Sequence, residues 1–206
     1  MRNWNFWTLF FLVLLLLSGL AIASYIRFTN ENNAPRGLPI SGGRPMEVEI
    51  DSEYFQQFDR RWSREKLGPS EGLLAHYGCT VCATAMALTS KEIEIDPSEL
   101  NRSLNENHGF TESGLLIWKG IEAVTEDQFT VDVINKPTYN VIDDQLAKGN
   151  PVIAKVFYNS EIWHWVLIVG KTGTEYLMHD PLGDRPFEST KEYPHGIFAV
   201  RYLLEK

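Results

Sequence analysis

The stretch His164-Trp-Val-Leu-Ile-Val-Gly170, a short polar turn Lys171-Thr-Gly-Thr174, and Glu175-Tyr-Leu-Met-His-Asp180-Pro181 constrains the fold more than any other part of the chain. Val166–Gly170 is an apolar run with β-branched residues, and the turn holds the glycine that a positive φ requires. The pattern predicts a β-hairpin. In an antiparallel hairpin the numbers of facing residues add to a constant, and a turn centred on Thr172 and Gly173 sets that constant near 345. His164 should therefore face the neighbourhood of Asp180 and Pro181. Facing or diagonal neighbours lie about 5–8 Å apart, within reach for a carboxylate to hold an imidazole.

Upstream of this hairpin the signals are helical. Cys79 to about Leu88 is an alanine-rich segment whose small side chains permit close packing on a sheet. Asp96-Pro-Ser-Glu99 reads as a capping box with Pro97 at the first helical position, and it carries Leu100 and Leu104 inward. Further helices are expected over Leu115–Val124 and Val141–Lys148. Strand patterns then dominate: Thr130–Ile134, Val152–Phe157, Trp163–Gly170, Glu175–His179 and Ile197–Tyr202. Helices followed by a strand-rich half predict an α+β domain.

The N-terminus constrains location. Between Arg2 and Arg27 lie 24 positions without a charge, and about 20 helical residues cross a hydrocarbon core of roughly 30 Å. Trp4, Trp7 and Tyr25 sit where interfacial aromatics belong. Ala21-Ile-Ala23 before Ser24 also fits a cleavable signal peptide. Residues 1–26 are thus a transmembrane anchor or a signal peptide, and both place the following domain outside the cytoplasm or in the medium. Residues 27–48, with three prolines and a Gly42-Gly43 pair, read as a flexible linker, and residues 49–206 as the functional domain. The net charge of −8 excludes nucleic acid as a partner on electrostatic grounds and hints at a cationic one. No glycine-rich phosphate loop follows a strand. No cofactor is expected.

Cys79 is the candidate nucleophile. At the first turn of a helix it meets unpaired N–H groups and a partial positive charge, which favour thiolate, and Gly78 would leave room for a carbonyl to approach. A neutral His164 would take its proton and return it to a leaving group. Asp180, with Asp184 as fallback, would fix the tautomer. Trp163 and Trp165 would wall the imidazole. Gln56 and Gln57 are candidate side-chain donors to an oxyanion, beside the Cys79 N–H. Cys82 completes a Cys-Thr-Val-Cys pattern that also reads as a thiol–disulfide motif. A zinc site lacks its second cysteine pair. His76, His108, His179 and His195 have no such companions.

These pieces resemble the papain-superfamily domain of cysteine peptidase family thirty-nine, whose founding members cut double-glycine leaders from bacteriocins. The resemblance is carried by Gln57-Phe-Asp-Arg-Arg-Trp62, Lys66-Leu-Gly68, Tyr77-Gly-Cys-Thr80 with Ala85-Met-Ala-Leu88, Asp96-Pro97 with Leu100-Asn101, Trp118, His164-Trp-Val and Asp180-Pro181. It spans roughly Tyr54 to Tyr202 and implies a papain-like fold with Cys79 as nucleophile, His164 as base, Asp180 as orienter and Gln57 as oxyanion donor. Relatives usually carry Thr or Ser where Cys82 stands, and they keep the glutamine closer than the 22 residues seen here. The expected activity is hydrolysis of a peptide or other amide bond through an acyl-enzyme, with acyl transfer to another nucleophile as a variant. The expected partners are a peptide or amide substrate and, if the N-terminal segment is uncleaved, a membrane. Two rivals stay open: an inactive relative that binds peptide or envelope material, and an exported oxidoreductase built on Cys79 and Cys82.

Overall fold

The computed structural model describes residues 6–33, 35–158, 162–184 and 193–206. It divides into two units, 1–35 and 36–206. The first unit is helix α1, Phe6–Asn33. Within it Trp7–Ile26 is a 20-residue apolar run, long enough by length and composition to cross a membrane. Arg2 and Trp4 lie outside the described residues.

The second unit is built on one antiparallel sheet of strands β1 (Ser41–Glu49), β2 (Phe129–Ile134), β3 (Val152–Tyr158), β4 (Ile162–His179) and β5 (Ile197–Glu205), in the order β1-β4-β3-β5-β2. The helices are α2 (Leu74–Tyr77), α3 (Cys79–Thr89), α4 (Pro97–Glu106), α5 (Gly120–Val124) and α6 (Tyr139–Ala147). The architecture is α+β, as the order of helix and strand patterns predicts.

Strand alternation divides the core in two. On one face Ile153, Leu167, Val169 and Leu203 pack against α3 and α4 through Val81, Ala85, Leu88, Leu100 and Leu104. On the other, Ala154, Val156, Val166 and Ile168 pack against Ile142 and Leu146 of α6. The α3 segment Val81–Leu88 is buried on all sides, which explains its run of small side chains. The Asp96 box forms as expected: its carboxylate accepts from the Glu99 N–H at 2.9 Å while the Glu99 carboxylate accepts from the Asp96 N–H at 3.3 Å.

The predicted hairpin is a single continuous strand, because its bend also pairs with β1: Lys171 with Val48, Thr172 with Glu47 and Gly173 with Met46. It nonetheless doubles back. His164 and Asp180 touch across 16 intervening steps, which an extended strand would spread over roughly 50 Å. Gly173, at φ 59°, takes the left-handed conformation that closes a three-residue hairpin loop. Even-numbered Val166, Ile168, Tyr176 and Met178 share one cluster, while odd-numbered Leu167, Val169 and Leu177 share the other. Parity is thus kept through the bend, so the register constant is even. His164 meets Asp180, within the neighbourhood that counting from the turn gives.

Two other expectations change. Residues 27–48 are not all linker: α1 runs to Asn33, Leu38 bridges Ile197, and Ser41–Glu49 is the edge strand. Gly42 and Gly43 serve close approach, since a Cβ on Gly43 would lie 2.3 Å from the Asp143 carboxylate. Asp143 in turn accepts from the Arg44 N–H and from the ammonium of Lys171, a fully buried ion pair at 2.7 Å. The helix expected over Leu115–Val124 is only Gly120–Val124. Ahead of it Gly114 turns the chain at φ 80° and Leu116 bridges Phe110.

Candidate active site

Four segments distant in sequence converge on Cys79. Short helix α2 ends at Gly78, and α3 begins with Cys79 itself. Gly78 is required by packing rather than by a ligand: a Cβ there would lie 2.2 Å from Leu74 Cδ2. The next contributor is β4. The Trp165 backbone N–H and the His164 ring both act on the Cys79 sulfur and pull its thiol down.

His164 is nearly fully buried, and its Nε2 lies 2.5 Å from Asp180 Oδ1. With Nε2 committed to the carboxylate, Nδ1 is the nitrogen left to face the thiol. Three groups hold Asp180. The Leu182 N–H donates to Oδ1 at 2.8 Å, the Tyr193 hydroxyl donates to Oδ2, and the Tyr54 hydroxyl donates to the Asp180 carbonyl at 2.9 Å. Tyr193 is buried and stands 13 residues beyond Asp180. No local pattern announces it, because a tyrosine followed by proline carries no chemistry of its own until the fold returns it to the carboxylate.

The charges follow from this arrangement. Burial pushes the Cys79 thiol up, but the hydrogen bond and charge of His164, the Trp165 N–H and the Thr80 hydroxyl together bring it below its ordinary value. For His164, burial favours the neutral ring, while Asp180 and Cys79 outweigh it and raise the imidazole to about 9. Asp180 is lowered: its burial is outweighed by His164, Tyr193 and the Leu182 N–H. These directions all lean toward a thiolate beside an imidazolium backed by a carboxylate. Cys82 lies fully buried one helical turn on, and burial raises its thiol well above the ordinary range. Both cysteines are free thiols.

Gln57 is buried. Its backbone N–H donates to the Pro181 carbonyl at 2.9 Å and its Nε2 to the Ala75 carbonyl at 2.7 Å. It therefore ties the Asp180-Pro181 turn to the helix that precedes Cys79. Gln56 instead donates to the Gly183 carbonyl at 2.7 Å. Asp184 has no part in holding the imidazole, whose carboxylate contact is Asp180.

A cleft of about 550 Å³ opens beside Cys79, walled by Leu67, Val81, Phe110, Leu116, Trp163 and Trp165. The two tryptophans flank His164 in sequence but lie on the opposite face of β4. They line the cleft, not the imidazole pocket, whose ring neighbour is Tyr158 with centroids 5.8 Å apart. Among the described residues no group of three or more His, Cys, Asp or Glu forms a metal-binding set.

Helix α3, which begins at Cys79, packs on an antiparallel sheet that carries His164, the α+β arrangement of a papain-like fold. The chain belongs to the Peptidase C39-like family, whose sequence profile matches residues 49–205. It is similar in fold to a crystal structure from Bacillus anthracis assigned as a C39-like peptidase. That match has a TM-score of 0.52 and 15% identity, and covers 78% of this chain and 98% of the other. No curated protein sequence matches the chain.

Proposed function

We propose that this protein is a thiol hydrolase that cleaves a peptide or other amide bond through an acyl-enzyme on Cys79. The observation that carries this reading is the His164 ring, held by the buried Asp180 carboxylate at 2.5 Å and drawing the Cys79 thiol below its ordinary value. The Cys79 thiolate attacks the carbonyl carbon and a C–S bond forms. The second Nε2 hydrogen of Gln57 and the Cys79 N–H are the candidate donors to the oxyanion. The proton on His164 Nδ1 passes to the leaving amine as the C–N bond breaks. Water then gives a proton back to His164 and releases the acyl group as an acid.

Family membership supports cysteine peptidase chemistry, and the ion-pair geometry favours an active member over an inactive binder. The oxidoreductase reading loses support from Cys82, whose sulfur is sealed in the core and held protonated. The apolar run in α1 accords with an exported domain, either anchored by that helix or released from it.

The test is covalent labelling of the full chain in detergent with iodoacetamide, followed by mass spectrometry of the modified residue. Cys79 should react at least tenfold faster than glutathione at pH 6, where a free thiol is almost wholly protonated. His164→Ala should abolish the excess. Labelling at the free-thiol rate would leave the peptide-binding relative as the better reading.

A further inference from the structure

The chain is acidic overall, with 27 Asp and Glu against 19 Lys and Arg, yet none of the described residues lining the Cys79 cleft is a carboxylate. Its charged lining group is Lys155. This residue sits on β3 directly opposite Trp165 of β4, the residue whose N–H touches the nucleophile. It therefore lies one strand away from the reacting sulfur. Its ammonium stacks over the Trp163 ring at 4.3 Å, and among the described residues no carboxylate pairs with it. The one charge acting on it appreciably is another cation, Arg201.

Arg201 is on β5, opposite Ile153 on the same sheet face. It stacks on Trp165 and Trp118, at 5.3 and 5.4 Å, and spends its hydrogen bonds on the Ile134 and Val200 carbonyls and on Asn135. Its Nε is buried without a partner. Lys155 lines the cleft, and Arg201, which also feels the Asp132 carboxylate, stands behind it on the same sheet face, so the charge at this wall is positive inside a negative protein. The rest of that wall mixes leucine, valine and aromatic surface with the uncharged hydroxyls of Ser70, Thr80 and Ser113 and the His76 ring.

Accepting the hydrolase reading of Cys79, we infer that Lys155 is a specificity-determining residue. The cleft takes a peptide that carries a bulky apolar side chain and, beside it, a carboxylate, and Lys155 pairs with that carboxylate. The net charge of the chain points to a cationic partner; the local charge at the cleft reverses that expectation. A cation shielded on one side by indole pairs with an incoming anion more strongly than an exposed lysine does, because less water competes.

The test uses the full chain in detergent and two thiol-directed probes, N-iodoacetyl-Phe-Glu-amide and N-iodoacetyl-Phe-Gln-amide, with plain iodoacetamide as reference. The wild type should alkylate about fivefold faster with the glutamate probe, which is the scale of one partly shielded ion pair. That preference should shrink as salt rises, vanish in Lys155→Gln, invert in Lys155→Glu and return in Lys155→Arg. Plain iodoacetamide should label all four at similar rates. Equal rates for the two probes in the wild type, or a preference that survives Lys155→Gln, would overturn the inference. Iodoacetamide labelling at the free-thiol rate would instead remove the hydrolase reading, while the ratio of the two probes would still decide the role of Lys155.

Discussion

His164 Nε2 and Asp180 Oδ1 are 2.5 Å apart, with both side chains almost wholly shielded from water. A pair in such a place is held by its surroundings. Oδ1 also accepts from the Leu182 N–H and Oδ2 from Tyr193, so the carboxylate has fixed donors on both oxygens and offers the imidazole one orientation. Replacing Asp180 by Asn keeps the shape but reverses the demand on one lone pair and favours the wrong tautomer. Asp180→Asn should lower kcat by about 10²–10⁴ while circular dichroism stays unchanged. Activity within a factor of three of wild type would rule out an orienting role.

The imidazole, raised to about 9 from 6.5, makes stability depend on pH with a defined sign. A group raised on folding contributes stability that is complete below 6.5 and is lost as pH climbs through about 9. The contribution is of the order of 3 kcal/mol. Thermal stability should therefore fall between pH 6.5 and 9.5, and His164→Gln should flatten that slope. Asp180 acts at the other end: lowered on folding, its contribution holds above its ordinary value of 3.8 and is lost in acid. If the wild type and His164→Gln have parallel curves over the alkaline range, the ion pair does not exist in solution.

The same two groups set the activity profile. The thiolate forms as pH rises through the depressed Cys79 value, and the imidazolium is lost above about 9. A bell-shaped kcat/KM with its alkaline limb near 9 is expected, and its acid limb should lie below the 9.0 ordinary for a thiol.

Tyr193→Phe removes a hydroxyl and leaves one Asp180 oxygen without that donor. Its cost should be about 1–3 kcal/mol of stability, with the Asp180 titration moved upward. The acid limb of the stability curve should shift to higher pH, an effect that lost packing alone would not produce.

Cys82 and Cys79 should separate cleanly. Cys79→Ser should reduce turnover by about 10⁴ or more. Cys82→Ala should cost about 1 kcal/mol of core packing and leave activity, and its response to oxidant, unchanged. Loss of function from Cys82→Ala alone, at full folding, would revive the thiol–disulfide reading.

The buried Lys171–Asp143 pair fastens the edge strand, through Gly42 and Arg44, to β4 and α6. Asp143→Ala strands a buried ammonium and should cost roughly 3–5 kcal/mol, whereas Lys171→Met with Asp143→Leu should cost far less. Denaturant unfolding of the two variants measures the difference.

Some of this was legible before any coordinates. Turn residues at 171–174 and a strand on each side bring residues near 164 and 180 together by counting alone, because strand pairing is arithmetic once the turn is placed. The count reached the right neighbourhood, since His164 and Asp180 touch. The Asp96 box and the small-residue run of α3 were readable for a similar reason: their causes are local. Ser41–Glu49 looked like linker because its glycines and prolines speak against a strand in isolation. It is one only because β4 offers a ladder and Asp143 demands a backbone without a Cβ beside it.

The sequence by itself determined the helix start beneath Cys79, the alternation that sorts residues to the two sheet faces, and the hairpin that opposes His164 to Asp180. Each follows from steric and hydrogen-bonding preferences within a few residues of one another. The tertiary structure alone decided that Cys79 meets that imidazole, that Tyr193 returns to clamp its carboxylate, and that Lys155 and Arg201 line up on one face. Those contacts join segments tens of residues apart, and packing between layers, which no local propensity encodes, sets which of them meet.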